Sequence, residues 1–380
     1  MSSSLPLRMP RSSTIPLFAA GVVLTIVMLL LPEVMSPFRL NLLGKYLCYA
    51  LVALGLDLLW GYTGMLSLGQ SVFFGLGAYC FGMYLKMEAA HGKLPDFMSW
   101  SGLTVLPSFW LPFANPAFAL GAAILVPSLL GAGLAYLLGR SRISGVYFAI
   151  ITQALAFIAT TLFIGQQPFT GGTNGLTNFA TIFDQPLKDP GVLTQLYRAT
   201  VVALAGCFVL AYRLAHSRFG RLLLALRDDE QRVRFCGYNP TVLKAAVFGV
   251  AAGMAGLAGA LFVPQVGIVN PDSLGIILGI QMVIWVAVGG RGTLVGPIVG
   301  AVAVNAAQSF VSESFPNVWQ YAVGAMFIAT VLVFPSGLLG TARWLSVIAS
   351  RRRSIASPRQ TSMPPLTARS AVGRLFGGRL

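Results

Sequence analysis

The chain has 380 residues, of which 56% are hydrophobic and 10% are charged. Ordinary soluble domains are about 45–50% apolar and about 25% charged, so the composition argues strongly against a water-soluble fold. There are 26 Lys and Arg against 11 Asp and Glu, and in a chain this apolar the placement of the charges predicts membrane orientation rather than binding to nucleic acid. The four cysteines are widely spaced, which predicts neither a disulfide framework nor a zinc site.

Taken in chain order, the apolar segments predict ten membrane-spanning helices. A hydrocarbon core about 30 Å thick needs roughly 20 apolar residues per helix, and a helix satisfies its own backbone there. The predicted spans are residues 15–35, 41–60, 65–85, 117–138, 143–165, 196–214, 241–263, 274–289, 293–311 and 319–339. The sequence therefore predicts an all-α polytopic membrane protein.

The orientation of these spans follows from the connection 213–244, which is the most basic short one. Because Lys and Arg resist translocation, we expect this connection to be cytoplasmic, and the sides of all other connections then follow by parity. Both termini are predicted to be cytoplasmic. The domain organisation is an N-terminal segment at 1–14, a membrane domain at 15–340 with a cytoplasmic loop at 215–240, and a basic, disordered cytoplasmic tail at 341–380.

The third predicted span is unusually rich in glycine. Gly61 and Gly64 immediately precede it, and Gly69, Gly75, Gly77 and Gly82 lie within it. Each costs a straight helix about 1 kcal/mol relative to Ala, so we expect a broken or re-entrant helix near residues 61–85 that lines a path. Close helix packing is the alternative, and it is the preferred interpretation for Gly249, Gly253, Gly256 and Gly259.

Few ionisable side chains fall inside the predicted spans. Asp57 lies near the cytoplasmic end of the second span, and Lys86 and Arg198 lie at outer ends. A charge at membrane depth costs about 2.5–3.5 kcal/mol on insertion scales and marks function, so their scarcity argues against a proton relay and favours a neutral or zwitterionic polar solute. No Walker A motif is present, so if no ion drives transport, a separate ATPase could supply the energy.

An integral-membrane enzyme would need a cluster of His, Cys or carboxylate side chains. The two histidines, His91 and His216, are predicted on opposite sides of the membrane. We therefore predict no catalytic residue, no metal site and no cofactor on this chain.

The cytoplasmic loop contains a short apolar run between charged residues. Such a helix suits a groove on a partner protein, with Leu222, Leu223 and Leu226 as anchors and with Arg221 and Arg227 at the rim. We predict that a separate ATPase docks here.

Four stretches of sequence carry a family resemblance. They are GR at 220–221 followed by ALRDDE at 225–230, LDLLWGYTGMLSLG at 56–69, TGGTNGL at 170–176 and VIWVAVGGRGTL at 283–294. Over about residues 40–340 the chain resembles the permeases of the branched-chain amino acid type of ABC importer. The sequence at 57–60 and 285–288 is similar to that of the urea permease subunits of this family. Three amides depart from the expected pattern, since Gln70, Gln281 and Gln308 stand where His, Glu and Lys are usual.

The resemblance implies a permease subunit of the bacterial inner membrane without its own ATPase site. It implies a second related permease subunit, two cytoplasmic ATP-binding subunits that hold ATP and Mg, and an extracytoplasmic solute-binding protein. The predicted substrate is urea or a related small neutral amide. A branched-chain or other small amino acid is the alternative, and an ATP-independent channel or ion-coupled carrier is an alternative of another class.

Two sets of site residues follow. The predicted substrate contacts are Ser67, Gln70, Phe73, Thr173, Asn174, Gln281 and Trp285. Amides and hydroxyls match the donors and acceptor of urea, and an aromatic face can cover its plane. The predicted ATPase-coupling residues are Gly220, Arg221, Leu222, Leu226, Arg227, Asp228 and Glu230.

Overall fold

The computed structural model describes residues 25, 27–143, 145–314, 321, 324, 325, 328 and 337. All of them belong to one compact unit, Met1–Gly340. The second unit, Thr341–Leu380, contains the predicted basic tail and lies outside the described residues. The predicted segment 1–14 also lies outside them, as do most of the first and last predicted spans.

The described part of the chain is mostly helical. Its α-helices are α1 (Pro37–Thr63), α2 (Gln70–Ala89), α3 (Asp96–Trp100), α4 (Pro116–Arg140), α5 (Val146–Gly165), α6 (Gln167–Thr170), α7 (Pro190–His216), α8 (Arg218–Asp228), α9 (Glu230–Phe235), α10 (Pro240–Val266), α11 (Ile276–Gly289) and α12 (Val295–Ser314). Short 3-10 helices occur at Leu31–Glu33, Leu111–Ala114, Gly172–Asn174 and Pro271–Leu274. A two-residue antiparallel hairpin pairs β1 (Thr181–Ile182) with β2 (Gln185–Pro186).

Six of these helices are long and apolar enough to cross a membrane, namely α1, α4, α5, α7, α10 and α12. The prediction of an all-α polytopic membrane protein is confirmed. The count of ten spans is not reproduced among the described residues. Helix α2 contains Gln70, Lys86 and Glu88 and is not among the six, and α11 has only 14 residues. The total number of spans and the cytoplasmic termini stay predictions.

Helices α1 and α10 form the centre of the bundle. In their most apolar 18-residue stretches 83% and 78% of the residues are buried inside the chain, compared with 22% or 33% in the other four candidate spans. Those four helices expose large apolar side chains such as Leu129 and Phe157. Since apolar faces of this kind are stable against lipid or another membrane subunit, the arrangement fits a chain embedded in a bilayer.

Glycines let α10 approach its neighbours closely. A Cβ atom at Gly256 would overlap the carbonyl oxygen of Ala123 in α4, and one at Gly259 would overlap that of Phe74 in α2. Gly77 of α2 faces the carbonyl oxygen of Gly256 in the same way. The packing interpretation of the α10 glycines is confirmed, and it extends to glycines of the third predicted span.

The third predicted span is interrupted at its start and not within its helix. Helix α1 ends at Thr63, Gly64 adopts a left-handed φ of 74°, and residues 64–69 form no helix. Helix α2 then runs without a break from Gln70 to Ala89. The expected interruption near residues 61–85 therefore falls at 64–69, whereas Gly75, Gly77 and Gly82 lie within the continuous helix α2. The irregular backbone is held by a 3.1 Å hydrogen bond from the Leu68 N–H to Thr152 Oγ1 of α5.

The connections predicted on one side of the membrane gather at one end of the bundle. At this inner end, Arg227 Nη1 lies 2.7 Å from the Gly61 oxygen, and Lys244 Nζ lies 2.6 Å from Glu230 Oε2. At the opposite, outer end Lys86 Nζ lies 3.0 Å from Asp96 Oδ2. The grouping agrees with the parity of the predicted spans, and the assignment of the inner end to the cytoplasm stays a prediction from charge.

Candidate functional site

Two consecutive short helices cap the inner end of the bundle. Ser217 caps α8 by accepting a hydrogen bond from the Gly220 N–H, and Asp229 caps α9 by accepting from the N–H groups of Gln231 and Arg232. Side-chain caps of this kind satisfy N–H groups that the helix itself leaves unpaired. The caps explain why the chain turns sharply twice within 215–240 and lays α8 against α1.

One face of α8 is buried in this chain and the other is exposed. Leu223 and Leu226 are 1% and 4% exposed, and Gly220 packs against the Ala215 oxygen at the turn from α7. This corrects the expected anchoring by Leu223 and Leu226, because both side chains are packed within this chain; Leu222 is half-buried. The exposed residues are Arg218, Arg221, Ala225, Arg227 and Asp228. Beyond α8, Phe235 and Tyr238 are 89% and 49% exposed.

The predicted coupling residues Arg227 and Glu230 tie the two short helices to the bundle. Arg227 Nη1 donates to the Gly61 oxygen in the last turn of α1 at 2.7 Å. Glu230 accepts from Lys244 of α10 and, at 3.1 Å, from Arg234. These contacts attach α8 to α1 and α9 to α10, which are the two central helices.

A buried carboxylate joins the same turn of α1 to the connection between α11 and α12. Asp57 is fully buried, and its two oxygens accept from the N–H groups of Gly292 at 2.5 Å and Leu294 at 3.0 Å. Arg291 in this connection lies over the Trp60 ring, 5.5 Å from its centroid. The glycine-rich connection is therefore a structural turn whose backbone N–H groups are satisfied by α1.

Two neighbouring cavities open in the outer half of the bundle. The apolar cavity, of about 600 Å³, is lined mainly by Tyr49, Phe74, Phe262, Val266, Ile277 and Leu278, and Asn270 and Asp272 also line it. The polar cavity, of about 540 Å³, is lined by Phe38, Leu42, Lys45, Tyr46, Tyr49, Gln281, Asn305, Gln308, Ser309, Ser312 and Glu313. Tyr49 and Gln281 line both cavities, so these two residues form the wall between them.

The structure brings only some of the predicted substrate contacts to these cavities. Gln281 lines both, and Trp285 is buried behind their shared wall, with its ring 4.6 Å from that of Tyr49. Phe73 is buried in the core against Phe248, whereas Thr173 and Asn174 are exposed on a 3-10 helix at the outer end.

Ser67 and Gln70 lie elsewhere, around the start of α2. Both side chains are fully buried, and their polar atoms have no hydrogen-bond partner among the described residues. Neither residue lines the apolar or the polar cavity.

Sequence reasoning missed Lys45 and Tyr49, which line the polar cavity. The predicted second span begins at residue 41 and contributes no residue to the predicted substrate contacts, whereas α1 begins four residues earlier. The signal for the earlier start was Ser36 followed by Pro37, because Pro is favoured at the first position of a helix.

Comparison with known proteins gives a consistent result. Residues 38–332 match the family described as "Branched-chain amino acid transport system / permease component". The high-affinity branched-chain amino acid transport system permease protein LivM of Salmonella typhimurium is 26% identical over 335 residues, which cover 82% of this chain and 72% of LivM. The corresponding protein BraD of Pseudomonas aeruginosa is 25% identical over 297 residues, covering 77% and 91%. The ribose import permease protein RbsC of Escherichia coli is 26% identical over 201 residues, covering 50% and 60%. No solved structure matches the chain.

Members of this family are transporter subunits rather than enzymes, and they act together with ATPase and solute-binding subunits. The family match spans more than half of the chain and includes α1, α8 and both outer cavities. Together with the six apolar helices, it shows that the chain belongs to the branched-chain amino acid permease family of ABC importers and is a multi-pass inner-membrane protein.

Proposed function

We propose that this chain forms part of the path by which an ABC importer moves an aliphatic amino acid across the inner membrane. The observation that carries the proposal is the pair of cavities that adjoin at Tyr49 and Gln281. An aliphatic amino acid has an apolar side chain and a charged head group, and it matches an apolar cavity that adjoins a polar one. Two of the relatives above, LivM and BraD, are named as branched-chain amino acid permeases.

Urea is the second candidate. The observation that favours it is the set of neutral amides, Gln281, Asn305 and Gln308, that line the polar cavity. An amide can both donate to and accept from urea. Urea would leave the apolar cavity unused, and for that reason we rank it after an aliphatic amino acid.

We further propose that α8 and α9 are the docking surface for an ATPase. The exposed face presents Arg218, Arg221 and Asp228 in a row along α8, next to exposed Phe235 and Tyr238. A polar rim around exposed aromatic side chains is the composition expected of a protein interface. Arg227 and Glu230 would then transmit force inward instead of touching the ATPase, because both are bonded to this chain's own central helices.

The complete importer in this proposal contains a second related permease subunit, two cytoplasmic ATP-binding subunits and an extracytoplasmic solute-binding protein. ATP and Mg are held by the ATP-binding subunits, and this chain holds no cofactor. Closure of the ATP-binding subunits would displace α8 and switch the permease between its inward and outward openings.

The substrate is tested by reconstituting the importer with its solute-binding protein in proteoliposomes and measuring ATP-dependent uptake of labelled leucine. We expect unlabelled valine and isoleucine to compete with leucine, whereas urea and acetamide should not. Saturable, ATP-dependent uptake of urea without any uptake of leucine would reverse the ranking. Leucine uptake that continues without the ATP-binding subunits would instead show a carrier or channel.

The docking surface is tested by Arg221→Ala and Asp228→Ala, with Arg140→Ala as a control. Arg140 is exposed at the same end of the bundle but lies outside α8 and α9. We expect both α8 variants to insert normally and to lose uptake and binding of the ATP-binding subunits, while the control retains both. If both α8 variants transport like the wild type, α8 is not the docking surface.

A further inference from the structure

Lys45 is a cationic side chain inside a membrane helix. It is the ninth residue of α1 and therefore lies about 12 Å along the helix from its first residue. The side chain is half-buried and lines the polar cavity, and its Nζ lies 5.9 Å from the centroid of the Tyr49 ring. A lysine within a membrane-spanning helix marks a functional site by default, and the partner of its charge has to be identified.

Among the described residues no carboxylate lies within 4.0 Å of the Lys45 ammonium group. All 11 acidic residues lie in the part of the chain that the structure describes. Five of them form ion pairs there, with Lys86, Arg198, Arg227, Arg232, Arg234 and Lys244. Lys45 has neither an ion pair nor a hydrogen bond within the described residues, and its contact with the Tyr49 ring is the interaction that remains.

The cavity itself supplies the geometry for a bound anion. Tyr49, over which Lys45 lies, also forms the wall of the apolar cavity. A molecule that places an aliphatic chain in the apolar cavity can therefore direct a carboxylate past Tyr49 towards Lys45. Glu313 lines the same polar cavity as Lys45 and adds an opposite charge for an ammonium group. Lysine and carboxylate side chains in one cavity match the two charges of a zwitterion.

We infer that Lys45 binds the α-carboxylate of the transported amino acid, with Glu313 facing its ammonium group. The inference rests on the proposed function, because it requires an amino acid and not urea as the substrate. It adds a specificity-determining residue, since a neutral amide such as urea would gain no ionic contact from Lys45.

The competing explanation is that Lys45 is a structural lysine. In that case the aliphatic stem packs on Tyr49 and Leu42, and the ammonium group extends towards lipid head groups. The two explanations differ in what they require of the side chain. Substrate binding requires the positive charge, whereas packing requires only the stem.

The test uses the complete importer in proteoliposomes with its solute-binding protein and labelled leucine. The variants are Lys45→Arg, which keeps the charge, Lys45→Met, which keeps a stem without charge, and Lys45→Glu, which reverses the charge. Lys93→Met is the control, because Lys93 is exposed at the outer end and lines neither cavity. ATPase activity stimulated by the loaded solute-binding protein reports assembly independently of uptake.

We expect Lys45→Arg to retain most of the uptake, Lys45→Met to lose about tenfold or more, and Lys45→Glu to lose the most, because a hydrogen bond to a charged group is worth roughly that factor. Stimulated ATPase activity should persist in all variants and in the control. Wild-type leucine uptake by Lys45→Met would overturn the role of Lys45 and leave the proposed function standing. Absence of leucine uptake by the wild type, with uptake of urea, would remove the proposed function itself.

Discussion

Asp57 provides the sharpest test of how the inner end is held together. Its carboxylate is fully buried and accepts hydrogen bonds from the N–H groups of Gly292 at 2.5 Å and Leu294 at 3.0 Å. Asp57→Ala removes both acceptors and leaves two N–H groups beneath the turn without partners. A buried donor left unsatisfied costs about 1–3 kcal/mol, so we expect a loss of about 2–6 kcal/mol in local stability.

The variant Asp57→Asn should keep one of the two hydrogen bonds and lose the other. The amide oxygen of Asn can still accept one, whereas the amide NH₂ group meets a backbone N–H and repels it. The loss should therefore be intermediate, and the order of stability should be wild type, then Asn, then Ala. The assay is thermal unfolding of the detergent-purified protein.

Asp228→Asn is the matched control, because Asp228 lies at the same end with its side chain 75% exposed and 3.6 Å from Arg227. Exposed pairs of this kind contribute about 0–1 kcal/mol, so the control should unfold close to the wild type. If Asp57→Ala unfolds at the wild-type temperature, the carboxylate does not hold the turn and our account of the inner end is refuted.

Two further predictions concern helix packing and the outer end. Gly259→Ala places a methyl group against the Phe74 oxygen and should destabilise the protein by about 1–3 kcal/mol, whereas Gly133→Ala, with open space around it, should be neutral or stabilising by up to about 1 kcal/mol in thermal unfolding. At the outer end, partial burial alone would raise the pKa of Asp96, but the hydrogen bond and charge of Lys86 outweigh it and hold the pKa below its ordinary value. The stabilisation by the Lys86–Asp96 pair is therefore fully present above about pH 3.9, the pKa of Asp in an unfolded chain. It is lost as the pH falls through the lower pKa that Asp96 has in the folded protein. Protection of residues 90–115 from protease should decline in the wild type as the pH falls through this range. In Lys86→Met the protection should be lower than in the wild type at neutral pH and should not change with pH. The same acid response in both proteins would contradict the pairing.

The sequence predicted those features that depend on periodicity and composition. Long apolar segments identified the positions of α4, α5, α7 and α10 to within a few residues, except at the N-terminal end of α7. Counting these segments also grouped the connections at the correct ends of the bundle, because each crossing helix carries the chain to the opposite end however the helix packs. The small-residue row of α10 also predicted close packing, since a spacing of three or four residues places Gly249, Gly253, Gly256 and Gly259 on adjoining positions of a helix.

Tertiary contacts decided what the sequence could not. The amphipathic pattern of α8 does not show whether Leu222, Leu223 and Leu226 pack against a partner protein or in the core of this chain. The hydrogen bond from Arg227 to the Gly61 oxygen fixes the rotation of the helix and turns Leu226 inward. No local pattern contains this information, because Gly61 and Arg227 are 166 residues apart.

Helix α1 connects the two functional regions in physical terms. Its outer half carries Lys45 and Tyr49 into the cavities, and its last turns accept the hydrogen bond of Arg227 and hold the connection before α12 through Asp57. The helix is buried along most of its length, so it moves only if its neighbours move with it. A displacement of α8 that keeps the Arg227 hydrogen bond must therefore shift α1 or strain its packing. Since α1 forms part of the wall of both cavities, either response changes the space in which we propose that the solute binds.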